Sequence, residues 1–255
     1  MNEQQLGYIT GLFLTDGWLS CCKNNYYLNI ELKKEDENVL EQIFKTVQAN
    51  KSERTRDTNF KENYTTVRMQ ITDKEVIDFL LNNNFPLKNK TETAFAPKMY
   101  KFSPAFWRGA IDGDGSYGYR NKTPFIGFTT KSEQLKNDFL ECVEYVTGQK
   151  IIATRNKRDN IYNLGLTSVN AKKFIEWLMI FDDFYIKRKR DIMISILNWE
   201  PSGRQGEIHK RWSKEEDDFV YENSIQECLL HLSRTKNAIQ LRKIKLNKER
   251  GIKNE

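Results

Sequence analysis

Histidine is nearly missing: His209 and His231 are the only two in 255 residues. That scarcity argues against an imidazole-built metal centre and against Ser-His-Asp chemistry. Cysteine is sparse as well. Cys21, Cys22, Cys142 and Cys228 form neither a CxxC pair nor a disulfide framework, so reduced thiols are expected. No long apolar run and no secretory leader pattern is present, which predicts a soluble, intracellular chain with no membrane partner. Acids are outnumbered, 35 Asp+Glu against 41 Lys+Arg, and the net charge of +6 hints at a polyanionic partner. A hydrophobic content of 38% over this length still suffices for a large core, or for two smaller ones with an appendage.

Against that background one stretch stands out, Trp107-Arg-Gly-Ala-Ile-Asp-Gly-Asp-Gly115. Ser103-Pro104 upstream reads as a helix start, a hydroxyl cap followed by proline at the first helical position. Phe106, Trp107, Ala110 and Ile111 continue an apolar helical pattern. Gly109 interrupts it at a cost of roughly 1 kcal/mol against alanine, which asks for a packing reason. Two carboxylates then sit at the carboxyl end, where the helix dipole disfavours them unless a cation compensates, and a metal ion is the obvious cation. Ile9-Thr-Gly-Leu-Phe-Leu-Thr-Asp-Gly17 repeats the device, with Asp16 and Asp114 98 residues apart.

The repeat extends downstream. In the first half we expect a helix over 2–15, a hairpin of Trp18–Lys23 and Tyr26–Lys33, a helix over 36–47, strands near 52–59 and 64–72, and a helix over 74–82. In the second we expect strands over 116–120 and 123–131 and a helix through Phe139, Leu140, Val143 and Val146. Strands near 151–158 and 161–167 and a helix over 171–180 complete it. Phe85-Pro-Leu-Lys-Asn-Lys90 and Phe184-Tyr-Ile-Lys-Arg-Lys189 close the two copies at an offset of 99. The sum is a pseudo-twofold α+β protein with repeats at 1–100 and 101–200. A linker over 201–210 and three short helices within 211–250 follow, the last strongly basic, suggesting a helix-turn-helix module.

The two nine-residue stretches resemble the paired motifs of single-chain LAGLIDADG homing endonucleases, a likeness covering roughly residues 5–200. It implies two αββαββα units with curved antiparallel sheets and motif helices packed on each other through Gly11 and Gly109. It also implies that Asp16 and Asp114 are catalytic metal ligands, joined by the carbonyls of Thr15 and Gly113 and holding Mg²⁺. Lys88 and Lys187 match the family's basic residue that offsets transition-state charge, with Lys90 and Lys189 as rivals. Two departures from the pattern are Leu14 where the second motif has Asp112, and Arg108 where a small residue is common.

By the same resemblance the outward strand faces read double-stranded DNA in the major groove. Those residues are Asn29, Glu31, Lys33, Arg54, Arg56, Arg68 and Gln70 in the first half, and Arg120, Thr129, Lys131, Thr154, Asn156 and Arg158 in the second. The tail resembles Myb/SANT-like modules, implying DNA contacts from Arg234, Thr235, Lys236, Asn237 and Gln240. The implied function is a monomeric, metal-dependent endonuclease cutting a long, non-palindromic site. Two alternatives remain: a splicing maturase acting on intron RNA, and a DNA-binding regulator that does not cut.

Overall fold

Asn2 opens the first helix with a reciprocal capping box to Gln5, and the helix α1 (Glu3–Asp16) runs until Gly17 turns the chain into a strand. Ser103 and Pro104 do the same for α5 (Pro104–Asp114), which Gly115 ends. The computed structural model describes residues 1–23, 25–57, 63–83, 85, 90–201 and 212–249. The chain divides into two units, Met1–Pro201 and Ser202–Glu255.

In the first unit, α1 leads into β1 (Gly17–Cys22) and β2 (Asn25–Lys33), then a single 3-10 turn and α2 (Glu37–Phe44). Next come β3 (Ala49–Arg56), β4 (Tyr64–Ile71), α3 (Lys74–Asn82) and the one-turn α4 (Lys90–Thr93). The second copy follows α5 with β5 (Gly115–Arg120), β6 (Thr123–Thr130) and α6 (Glu133–Thr147). β7 (Thr154–Arg155), β8 (Tyr162–Thr167), α7 (Ser168–Leu178) and α8 (Lys187–Leu197) complete it. Each copy builds a four-stranded antiparallel sheet of the same order, β1-β2-β4-β3 and β5-β6-β8-β7.

Alternation decides which face of each sheet is covered. Leu28, Ile30 and Leu32 pair across with Ile71, Met69 and Val67, and all six are buried under the helices. Ile126 and Phe128 do the same against Leu166 and Leu164. One continuous core results, running from Tyr8, Leu12 and Phe13 to Trp107, Phe139 and Phe174. At its centre α1 and α5 lie backbone against backbone. A Cβ on Gly11 would collide with the Phe106 carbonyl and stand 2.8 Å from Ala110 N; one on Gly109 would collide with the Tyr8 carbonyl and stand 2.9 Å from Leu12 N. Here the glycines have their packing reason.

Several expectations need correcting. The strand expected over 151–158 shrinks to Thr154–Arg155, because Asn156 closes a tight loop. Its N–H donates to the Ile161 carbonyl at 2.7 Å, and its side chain accepts from Arg158 N–H. The strand expected at 52–59 begins earlier, at Ala49. Phe44, which helical spacing groups with Val39, Leu40, Ile43 and Val47, is exposed. The segment around 184–189 is not a mere closing stretch, since Lys187 starts the eleven-residue helix α8.

The second unit holds α9 (Lys214–Glu222), α10 (Ile225–His231) and α11 (Lys236–Glu249) around Val220, Cys228, Ile239 and Leu246. Ser213 and Ser224 each form a capping box, with Glu216 and Glu227. Beyond Pro201, the expected linker over 201–210 lies outside the described residues.

Candidate functional site

Because the glycine seam brings α1 and α5 together along their length, their carboxyl ends meet. A Cβ on Gly113 would stand 3.0 Å from Asp16 Oδ2 and overlap the Thr15 side chain, so the two expected metal-binding ends are in contact. Asp16 is half-buried and Asp114 exposed at the floor of the sheets. Burial, then the neighbouring Asp114 carboxylate, pushes Asp16 up to about 6, against the pull of Lys189 and Lys90. Asp114 is raised by its packed surroundings, while Lys90 and Lys189 lower it.

These two lysines occupy equivalent places. Lys90 Nζ donates to the Phe13 carbonyl at 2.6 Å, to Thr15 O at 3.2 Å and to Gly17 O, capping α1. Lys189 Nζ donates to Ile111 O at 3.0 Å, Gly115 O at 2.8 Å and Asp112 O, with Gly113 O at 3.5 Å, capping α5. Part of the cationic compensation that these helix ends require thus comes from lysine. The carbonyls of Thr15 and Gly113 face ammonium groups. Desolvation holds both lysines below the usual range, Lys90 at about 8. Of the expected basic residues, Lys187 is on the surface of α8, 2.7 Å from Asp191, and Lys88 lies outside the described residues.

Of the cavities that reach the acids, two also reach a capping lysine. One, of about 590 Å³, is lined by Asp16 with Lys189, Asp36 and Arg188. The other, of about 230 Å³, is lined by Asp114 with Lys90, Thr15, Thr129 and Lys131. Each cavity therefore pairs the acid of one copy with the lysine of the other. Among the described residues no group of three or more His, Cys, Asp or Glu converges. The donor set is sparse and all oxygen, with both carboxyls raised chiefly by burial. It suits a hard divalent cation that keeps most of its waters.

The outward face of the first sheet gathers every expected strand residue of that half. Register places Trp18 beside Asn29, Asn29 beside Gln70, Glu31 beside Arg68, and Arg54 beside Thr66; Lys33 and Arg56 share the face. Asn29 does not reach solvent. Its amide nitrogen donates to Ser20 Oγ at 2.9 Å, and its Oδ1 accepts from Arg68 Nε at 3.1 Å and from Gln70 at 3.3 Å, so it braces its neighbours. Glu31 likewise accepts from Thr66 at 2.8 Å. Arg68 spreads over the half-exposed Trp18 ring, 5.1 Å from its centroid, an aromatic–cation pair that alternation alone did not single out.

The second sheet is different. Its outward face carries Ser116, Gly118, Arg120, Phe125, Gly127, Thr129, Asn163 and Gly165, with Arg120 stacked on Phe125 at 4.5 Å. Thr154 is exposed on β7 and Lys131 follows β6, but Asn156 and Arg158 sit in the loop beyond the strand, with Arg158 beside Asp159. Arg155, not anticipated, lies over Tyr162.

In the second unit Arg234 is used internally. It donates to Glu216 at 2.7 Å and covers the Trp212 ring at 4.6 Å. Thr235 Oγ1 accepts from Ala238 N–H at 3.3 Å and so starts α11. Lys236 and Asn237 are exposed and Gln240 half-buried on that helix. No described helix is long and apolar enough to cross a membrane.

Residues 101–178 match the family described as a LAGLIDADG-like domain. No curated protein matches the chain. Among solved structures, the homing endonuclease I-WcaI bound to its DNA recognition sequence is 15% identical, covers 75% of this chain and 86% of its own, and superposes with a TM-score of 0.55. I-DmoI in complex with DNA and Mn is 14% identical over 70% of this chain and 98% of its own, with a TM-score of 0.45. Full-length DUF199/WhiA from Thermatoga maritima is 11% identical over 100% and 95%, also at 0.45. Residues 101–178 are thus similar to a LAGLIDADG-like domain, and the chain has the α+β fold seen in a homing endonuclease.

Proposed function

We propose that the chain is a site-specific endonuclease that hydrolyses both strands of duplex DNA with a divalent cation, Mg²⁺ being the best fit. One observation carries the reading. Two helices in backbone contact deliver Asp16 and Asp114 to one place, at the foot of two outward-facing sheets. A protein that only binds DNA gains nothing from paired carboxylates beside phosphates. Asp16 and Asp114 would hold the cation, which when bound supplies Lewis acidity for phosphodiester hydrolysis. Lys90 and Lys189, each in the cavity of the opposite acid, offer positive charge where a phosphate would carry its developing negative charge.

The sheets supply recognition. Arg68, Gln70, Glu31, Lys33, Arg54 and Arg56 form a polar ribbon suited to a major groove, and the second sheet offers Arg120, Thr129, Asn163 and small residues. Two unlike faces suit a non-palindromic target. The repeats are taken as residues 1–100 and 101–200. The helices within 211–250 act as a tethered DNA-binding module through Lys236, Asn237 and Gln240 on α11.

A duplex library with a randomised core, incubated with and without Mg²⁺, provides the test. Wild type is expected to cut a sequence-defined subset only with metal, and Asp16→Asn and Asp114→Asn to lose at least about a hundredfold in rate while still retarding DNA. If either variant cuts as wild type does, the assignment fails. Cation binding must displace the Asp16 proton, so affinity measured by calorimetry is expected to rise with pH through about 6. A second reading, DNA binding without cutting, draws on the lysines already facing the Thr15 and Gly113 carbonyls. It predicts an uncut library, and Asn variants that bind DNA and melt at or above the wild-type temperature.

A further inference from the structure

The segment that carries Lys189 belongs to the second copy, yet the first copy holds it. Asp36, buried ahead of α2, accepts two 2.7 Å hydrogen bonds from Arg188 Nε and Nη2. Asn38 on α2 donates to the Tyr185 carbonyl at 2.7 Å and accepts from Lys187 N–H at 3.2 Å, and Gln42 accepts from Tyr185 N–H at 2.9 Å. Asn38 and Gln42 of one copy thus fix the backbone on either side of Ile186, one turn from Lys189, and Asp36 grips the side chain of Arg188 between them. The reverse arrangement holds the chain after Lys90. Ser132 Oγ, at the start of α6, donates to the Ala94 carbonyl at 2.5 Å, and Asp138 accepts from Ala96 N–H at 3.0 Å. The two clasps occupy equivalent places, but only in the first does the carboxylate grip a side chain next to the lysine; Asp138 accepts a backbone N–H and pairs with Lys101 at 3.2 Å. The first clasp lines the larger of the two cavities, beside Asp16.

We propose that Asp36 and Arg188 are positioning residues for Lys189, and that through it they govern the cutting of one DNA strand and not the other. The proposal rests on the endonuclease reading above. Lys189 lines the Asp16 cavity and Lys90 the Asp114 cavity, so the first clasp bears directly on one phosphate site and reaches Asp114 only through the carbonyls that Lys189 caps. A buried carboxylate gripping a planar guanidinium through two parallel bonds is a stiff hinge-stop, more directional than the single bonds to backbone groups in the opposite clasp. A displacement of Lys189 by a fraction of an ångström is enough to matter where charge must sit beside a reacting phosphate.

The test uses the full chain and the library member that wild type cleaves, with a different dye on each strand. Asp36→Asn and, because burial of Asp36 puts that variant at risk of misfolding, the double variant Asp36→Asn/Arg188→Gln are compared with Ser132→Ala. Thermal melting and gel retardation verify folding and binding. The expected result for the first two is a drop of about tenfold to a hundredfold in the rate on one strand, with the other within about twofold, so that nicked duplex accumulates. Ser132→Ala is expected to affect the opposite strand. Equal slowing of both strands by folded protein means a general effect on the fold and overturns the proposal, as does no slowing at all. A wild type that cuts neither strand of any library member overturns the endonuclease reading itself, and the proposal with it.

Discussion

Arg108 and Asp112 are the least economical residues of the first unit. Both side chains are fully buried, with Arg108 Nε 3.4 Å from Asp112 Oδ2, and Asp112 Oδ1 has no hydrogen-bond partner. Asp112 also accepts from the Tyr8 hydroxyl at 2.7 Å and from Ile186 N–H at 3.4 Å, so it joins α5 to α1 and to the residue preceding α8. At the matching positions of the first copy stand Thr10 and Leu14, both buried, which shows that the fold accepts an uncharged solution there. Removing one member of a buried pair strands the other charge, whereas removing both is far milder. Asp112→Leu alone is therefore expected to cost about 3–5 kcal/mol, and Arg108→Thr/Asp112→Leu to lose less than the sum of the singles by about 1–3 kcal/mol. Urea denaturation of the four proteins measures this; strictly additive losses would show that the pair is not coupled.

At the scale of elements, the seam is the most exacting contact. Both neighbours of a Gly109 side chain would be backbone atoms of α1, which cannot rotate away. Gly109→Val is expected to lose about 3 kcal/mol or more, read from the melting curve, and the same change at Gly148, where nothing lies within 4 Å but φ is +74°, acts through local strain alone. The seam helices were legible in the sequence because glycine spacing and end-capping residues are local signals. So were β2 and β4, whose alternation fixes their faces. What stayed hidden depends on distant partners. Helix α8 begins Lys187-Arg-Lys-Arg behind Ile186, with no hydroxyl cap and cations where the dipole disfavours them. Contacts from Asp36 and Asn38 hold that start in place instead. Asn29 was assigned to the correct face and yet is covered, because alternation says where a side chain points and nothing of what its neighbours lay over it. Choosing between Lys187 and Lys189 likewise needed the helix, since a two-residue step moves a side chain more than halfway round its axis.

For the molecule as a whole, the excess of 41 basic over 35 acidic residues is the broadest sign of a polyanionic partner. Among the described residues, the core of the first unit and the apolar side chains packed on it run no further than Leu197, and the second unit has its own small core. A chain ending at Pro201 is therefore expected to fold by circular dichroism and to keep metal-dependent cutting, while its DNA affinity falls about tenfold or more in gel retardation. Loss of folding would instead mean that residues 212–249 support the first unit. One consequence of the crossed clasps concerns recombination. Each copy carries its lysine on a stem gripped by the other, so a chimera assembled from two parents splits the bracket from the tool it steadies. Compatible parents are then those that match across positions 36 and 188, whatever their similarity along the strands that meet DNA.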